Sequence, residues 1–109
     1  MSDRKLLELA AKAAGYLGYQ DGCAIVGERG QSITWNPLTD DGDALRLAVS
    51  CDMTVCAAGS ATVSASSGHG HARLMATMAV SECGDNKNSA VRRAIVRVAA
   101  AMAEGGKEK

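Results

Sequence analysis

The sequence predicts a single-domain α+β protein: three helices and an antiparallel sheet of about five to six strands, in the order α-βββ-α-ββ(β)-α. Three observations lead there. Apolar residues recur at helical spacing near both ends of the chain and once in the middle. Between those stretches they alternate with period two. Tight-turn signals such as Asp21-Gly22 and Arg29-Gly30 separate the extended runs. At 109 residues the chain suits one hydrophobic core. That core is poor in aromatics, with no Phe, one Trp (Trp35) and two Tyr (Tyr16, Tyr19) against 20 Ala. Its cohesion must then come from many small aliphatic contacts and close helix approach.

Residues 3–14 read as the first helix. Ser2 or Asp3 caps it, Leu6, Leu9, Ala10 and Ala13 form its apolar stripe, and Gly15 stops it. Runs 16–20, 23–28 and 31–35 follow as a three-stranded meander. Asp21-Gly22 supplies the positive φ angles that a two-residue hairpin needs, and Ile33 and Trp35 alternate with Ser32 and Thr34. Asn36-Pro37 ends the meander, because Pro cannot donate to a ladder.

Thr39 or Asp40 caps a second helix reaching about Cys51, with Leu45, Ala48 and Val49 as its apolar positions and Leu38 as a staple. Met53, Val55 and Ala57, then Ala61, Val63 and Ala65, then Leu74, Ala76, Met78 and Val80 alternate as two or three further strands. Gly59-Ser60 offers a turn between the first two runs, and Ser67-Gly68-His69-Gly70 a loop after them. Asn88 or Ser89 caps the last helix, whose stripe is Val91, Ala94, Ile95, Val98 and Met102. Gly105-Gly106 ends it, so residues 1–104 form the domain and 105–109 a frayed tail.

Twelve basic residues balance twelve acidic ones. A surface that tracks nucleic acid throughout is therefore not expected, because phosphate affinity scales with the charges neutralised. Near-zero net charge also leaves self-association open, so a homodimer is among the expected assemblies. No apolar run approaches the roughly 20 residues of a membrane span, and no secretory leader is visible, so a cytoplasmic protein with no membrane partner is expected. Reduced thiols at Cys23, Cys51, Cys56 and Cys83 follow from that compartment.

No pattern that carries chemistry emerges. Asp40, Asp41 and Asp43 crowd a helix start, where caps and dipole partners belong, and the alternating oxygen ligands and closing Glu of a calcium loop are missing. Cys51, Cys56, His69 and His71 could ligate zinc, but the four-residue gap between the cysteines sits at the edge of zinc spacings. No Cys or Ser stands in a nucleophile signature, and no glycine run cradles phosphate. The expectation is a non-enzyme without cofactor. Arg92, Arg93 and Arg97 lie off the apolar stripe of the last helix and predict a basic exposed face, either simply solvated or open to an acidic protein or to phosphates.

The segment from Trp35 to Val49, Trp-Asn-Pro-Leu-Thr-Asp-Asp-Gly-Asp-Ala-Leu-Arg-Leu-Ala-Val, resembles the signature of a group of small proteins encoded by phages and prophages of Gram-negative bacteria. Residues 6–15 and 92–100 are similar to the two ends of the same group, while 51–81 depart from it. The resemblance implies an accessory protein of unknown function, made inside a bacterial host cell, with no catalytic residues to carry over. Such proteins often occupy a host surface, so the expected function is binding a host protein to inhibit or redirect it, with an anti-defence role such as anti-CRISPR the most specific version. The expected contact residues are Asp40, Asp41, Asp43, Arg92, Arg93 and Arg97. Nucleic-acid binding through the basic helix face is the alternative.

Overall fold

A computed structural model describes residues 2–57, 62–67, 75–84 and 86–107. The elements are α1 (Asp3–Ala13), β1 (Gly18–Gln20), β2 (Cys23–Ile25), β3 (Ser32–Thr34), α2 (Asp41–Ser50), β4 (Met53–Cys56), β5 (Thr62–Ser67), β6 (Met75–Ala79), a 3₁₀ turn (Val80–Cys83) and α3 (Lys87–Lys107). The α+β class and the element order match the sequence expectation. The strands divide into two antiparallel three-stranded sheets, β1-β2-β3 and β4-β5-β6.

Ser2 caps α1 through its side chain, which accepts from the Lys5 amide. Leu6, Leu7, Leu9, Ala10 and Ala11 are buried, a wider face than the expected stripe. Asp21 (φ 49°) and Gly22 (φ 81°) both occupy the left-handed region that the two-residue β1–β2 hairpin demands. The pairing register sets Tyr19 opposite Ala24 and Ala24 opposite Ile33, so these three share one face. Ala24 is fully buried there, and Trp35, just beyond β3, is 1% exposed. Tyr16 and Tyr19 pack edge-on against Trp35, with ring centroids 5.4 and 6.2 Å away. The three aromatic residues of the chain thus form one small anchor. Ile33, expected to share the apolar face with Trp35, is 43% exposed on β3, an edge strand of this sheet among the described residues.

In the second sheet the alternation reads cleanly. Val63, Ala65 and Met78 are buried on one face, while Thr62, Met75 and Thr77 are exposed on the other. The apolar face lies against α3, which also packs on α1, so α3 runs between two layers. That placement explains why Ala90, Val96, Ala99 and Ala100 are buried beside the expected Ala94, Ile95 and Val98. Alanine lets a helix approach both neighbours closely.

Two expected boundaries and one buried face change. The N-cap of α3 is Asn86, whose side-chain oxygen accepts from the Ser89 amide at 3.0 Å, not Asn88 or Ser89. The helix also continues through Gly105-Gly106 to Lys107. Glycine costs a helix about 1 kcal/mol relative to alanine but forbids nothing, so it need not end one. Finally, the buried residues of α2 are Asp43, Ala44, Leu47 and Ala48. Leu45 and Val49, expected in the core, are 64% and 68% exposed. The hydrogen-bonded turn at Asn36–Asp40 leads directly into α2, whose Ala44, Leu47 and Ala48 face inward. The expected turn at Gly59-Ser60 and loop at Gly68–Gly70, together with Ala61 and Leu74, lie outside the described residues.

Candidate functional site

Four of the six contact residues expected from sequence, Asp40, Asp41, Asp43 and Arg92, converge at the start of α2. Asn36 organises the approach. Its side-chain oxygen accepts from the Leu38 amide at 3.0 Å, and its carbonyl accepts from the Thr39 and Asp40 amides. Asp40 then caps α2, with Oδ2 accepting from the Asp43 amide at 2.8 Å. Asp43 is 8% exposed and fully employed. Its Oδ2 accepts from the Asn36 amide at 2.9 Å, and its Oδ1 receives Arg46 Nη2 at 2.6 Å. The hydrogen bond to Asp43, with the attraction of Asp43 and Asp40, raises the Arg46 pKa above its ordinary value. A side chain at Gly42 would crowd Asp40 Oδ2 at 3.2 Å and the Arg46 guanidinium at 3.3 Å, so the bare backbone there lets Arg46 fold across.

Asp41 joins this turn to α3. Its Oδ1 receives Arg92 Nη1, and its Oδ2 accepts from Asn88 Nδ2 at 3.3 Å. Arg92 Nε donates to the Leu38 carbonyl at 2.8 Å, so one guanidinium ties the turn and the helix start together. Asp41 and Arg92, expected on two separate contact surfaces, are therefore partners of each other. Arg93 is likewise occupied, donating from Nη1 and Nη2 to the two Asp3 oxygens at 3.2 and 3.3 Å. Of the three arginines expected to form an exposed basic face, only Arg97 is exposed, with no partner among the described residues. Arg92 and Arg93 project off the buried stripe as predicted, but α1 and the turn before α2 meet them there.

The remaining candidates separate. Cys51 caps the C-terminus of α2, is buried, and directs its thiol at the Ala13 carbonyl (3.8 Å). Burial raises its pKa, and the charge of Asp52 adds to the shift. Cys56 is exposed on β4, and all four cysteines are free. His69 and His71 lie outside the described residues. Among the described residues, no three His, Cys, Asp or Glu side chains gather as a metal site requires.

The feature that sequence reasoning missed lies beside the Asp41–Arg92 pair. Asp41, Ala44, Leu45 and Ala48 of α2, Asn88, Val91, Arg92 and Ile95 of α3, and Val55 and Ala57 at β4 line an open groove of about 290 Å³. Asp41 meets Asn88 and Arg92 at one end while Ala48 and Ile95 line the same groove farther along, so α2 and α3 run side by side in the same direction. The floor and walls are aliphatic, and the polar groups collect at the Asp41 end. Leu45 and Val49, one helical turn apart, stand exposed along α2, and Val55 is 38% exposed. A signal was present in the sequence. Leu45 and Val49 cannot share the core ridge with Ala44 and Leu47 unless α2 is buried on more than half of its circumference. A second depression of about 280 Å³ lies at Gln20, Asp21, Cys23, Ile25, Gly30 and Ser32 on the first sheet, with a mixed polar and apolar lining.

No protein-family model, no curated protein and no solved structure matches this chain. No helix among the described residues is long and apolar enough to cross a membrane.

Proposed function

We propose that the chain is a non-enzymatic accessory protein that acts by binding another protein through the groove between α2 and α3. The observation that carries this reading is the exposure of Leu45 at an aliphatic cleft, with Val49 exposed one turn along α2, while Asp40, Asp43 and Arg92 nearby are engaged in the turn before the helix. Exposed aliphatic side chains around a concavity mark binding surfaces, because covering them removes apolar area from water. Catalysis would instead call for a nucleophile, a base and an orienting group within reach of one another. Asp40, Asp41 and Asp43 serve here as cap, tie and brace.

The resemblance of residues 35–49 to small phage and prophage proteins supplies the setting: a bacterial host cell, with a host protein as the partner. An anti-defence role such as blocking a CRISPR effector is the sharpest form of that reading. The contact residues move from the charged clusters to Leu45, Val49, Val55 and the Asp41 carboxylate. Nucleic-acid binding loses support, since Arg92 and Arg93 are already paired.

The test is affinity capture from a Gram-negative host lysate with the wild-type chain and with Leu45→Glu. Wild type is expected to retain a specific host protein that the variant releases. Failure to retain any protein, or equal retention by both chains, would sink this reading.

A further inference from the structure

We infer that the α2/α3 groove takes a short amphipathic helical segment bearing two apolar side chains one turn apart and a Lys or Arg next to them, at the Asp41 end. This inference rests on the protein-binding reading above and names the chemistry of the partner.

Shape and size favour a short segment over a second copy of this chain. The groove runs along α2 from Asp41 to Ala48, seven residues or roughly 10 Å at 1.5 Å per residue. That length accommodates two side chains at i, i+4 spacing. A stable interface between whole domains needs about 800 Å² per partner, roughly one-eighth of the 6411 Å² surface of this molecule, and a cleft two turns long supplies only part of it. Two helices lying side by side with an aliphatic floor also form a seat for a third helix. Helix-in-groove recognition is read through anchors at this spacing.

Charge selects the sign. Among the described lining residues, Asp41 and Arg92 alone carry formal charges, and they are unequally open to water. The Asp41 side chain is 64% exposed and that of Arg92 is 15% exposed. Arg92 is closed off by its bonds to Asp41 and to the Leu38 carbonyl. An arriving segment therefore meets a carboxylate, not a guanidinium. Arg46 points to the other side of α2, where it is tied to Asp43, and it does not line the groove. A Lys or Arg on the segment can take the free flank of Asp41, whereas an acidic residue would face it directly.

The experiment is selection from a random 12-residue peptide library displayed on phage against the immobilised wild-type protein, followed by measurement of the enriched peptides by fluorescence anisotropy. Enriched sequences are expected to carry two large apolar residues at i, i+3 or i+4 and a flanking Lys or Arg. Leu45→Glu should weaken them about tenfold or more. Asp41→Asn should weaken them about two- to fivefold and erase the preference for a basic flank. Val55→Glu, on the β4 side of the groove, serves as a second probe of the lining, and each variant is checked for wild-type melting. Absence of enrichment overturns the inference, as does enrichment without the basic residue or binding indifferent to both Leu45→Glu and Val55→Glu. Sedimentation that shows a dimer of the wild type dissolved by Leu45→Glu assigns the face to a second copy and overturns it too. A host protein captured by wild type and lost with Leu45→Glu, alongside peptides lacking the basic flank, leaves the protein-binding reading standing and removes only this one.

Discussion

The helices α2 and α3 lie side by side, and both carry alanine and valine, with leucine added in α2 and isoleucine in α3, yet they treat their apolar residues differently. In α3 the expected stripe proved too narrow: Ala90, Val96, Ala99 and Ala100 are buried as well. In α2 the expected stripe was rotated, so that Ala44, Leu47 and Ala48 face inward while Leu45 and Val49 face water. The difference lies in the neighbours. The second sheet and α1 sandwich α3, whereas among the described elements α2 packs mainly on α3 and on β4. A helix covered from two sides hides nearly every apolar residue it carries, and one covered from a single side must leave some exposed. An apolar position on a helix thus does not declare whether it serves the core or a partner.

The comparison can be broken by truncating one residue from each helix. Ile95 of α3 is 3% exposed, and Ile95→Ala should cost about 2–5 kcal/mol in urea denaturation, through lost transfer energy and a residual cavity. Leu45→Ala in α2 should stay within about 0.5 kcal/mol, as exposed substitutions do. Equal losses at the two sites would show that Leu45 is a core residue and would remove the basis of the proposed binding site.

A second measurement sharpens the account of why α2 is rotated. Asp43→Ala removes the acceptor of the Asn36 amide and the partner of Arg46 at once. Leaving that amide unpaired in a part-buried turn should cost about 1–3 kcal/mol. Asp43→Asn retains an acceptor and should recover part of the loss. If Asp43→Ala were neutral, the turn would not be what sets the face that α2 presents.

The smallest effect concerns the other end of α2. The Cys51 thiol has its pKa raised by burial and by the nearby Asp52. The folded state therefore holds this proton more tightly than the unfolded chain does. Its contribution is fully present below the unfolded thiol value of about 8.5 and fades as pH rises through the higher folded value. The melting temperature should fall more steeply above about pH 8.5 in the wild type than in Cys51→Ala, after each is normalised to its value at pH 7. Identical slopes would mean that Cys51 is not buried against Ala13 as described. Iodoacetamide should meanwhile label exposed Cys56 before Cys51.

Much of the fold was legible because the signals are local. Ser2 as a cap, Asp21-Gly22 as a hairpin and the strict alternation through Val63 and Ala65 each depend on residues within a few positions of one another. The segment 35–49, the most distinctive stretch of the chain, also turns out to be explained mostly by local structure. Trp35 anchors the tyrosines, Asn36 and Asp40 build the turn, and Ala44, Leu47 and Ala48 enter the core. The candidate site was far less legible. The pairing of Asp41 with Arg92 spans 51 positions, and that of Asp3 with Arg93 spans 90. No spacing rule connects residues so far apart.

The sequence by itself determined the elements, their order and most of their caps, because propensity, capping and alternation are decided within one turn or one strand. Only the tertiary structure decided which charges cancel, which side of α2 meets α3, and that Leu45, Val49 and Val55 remain outside. Those outcomes depend on what each element is packed against, and burial is a property of the assembled layers rather than of any residue in its own segment.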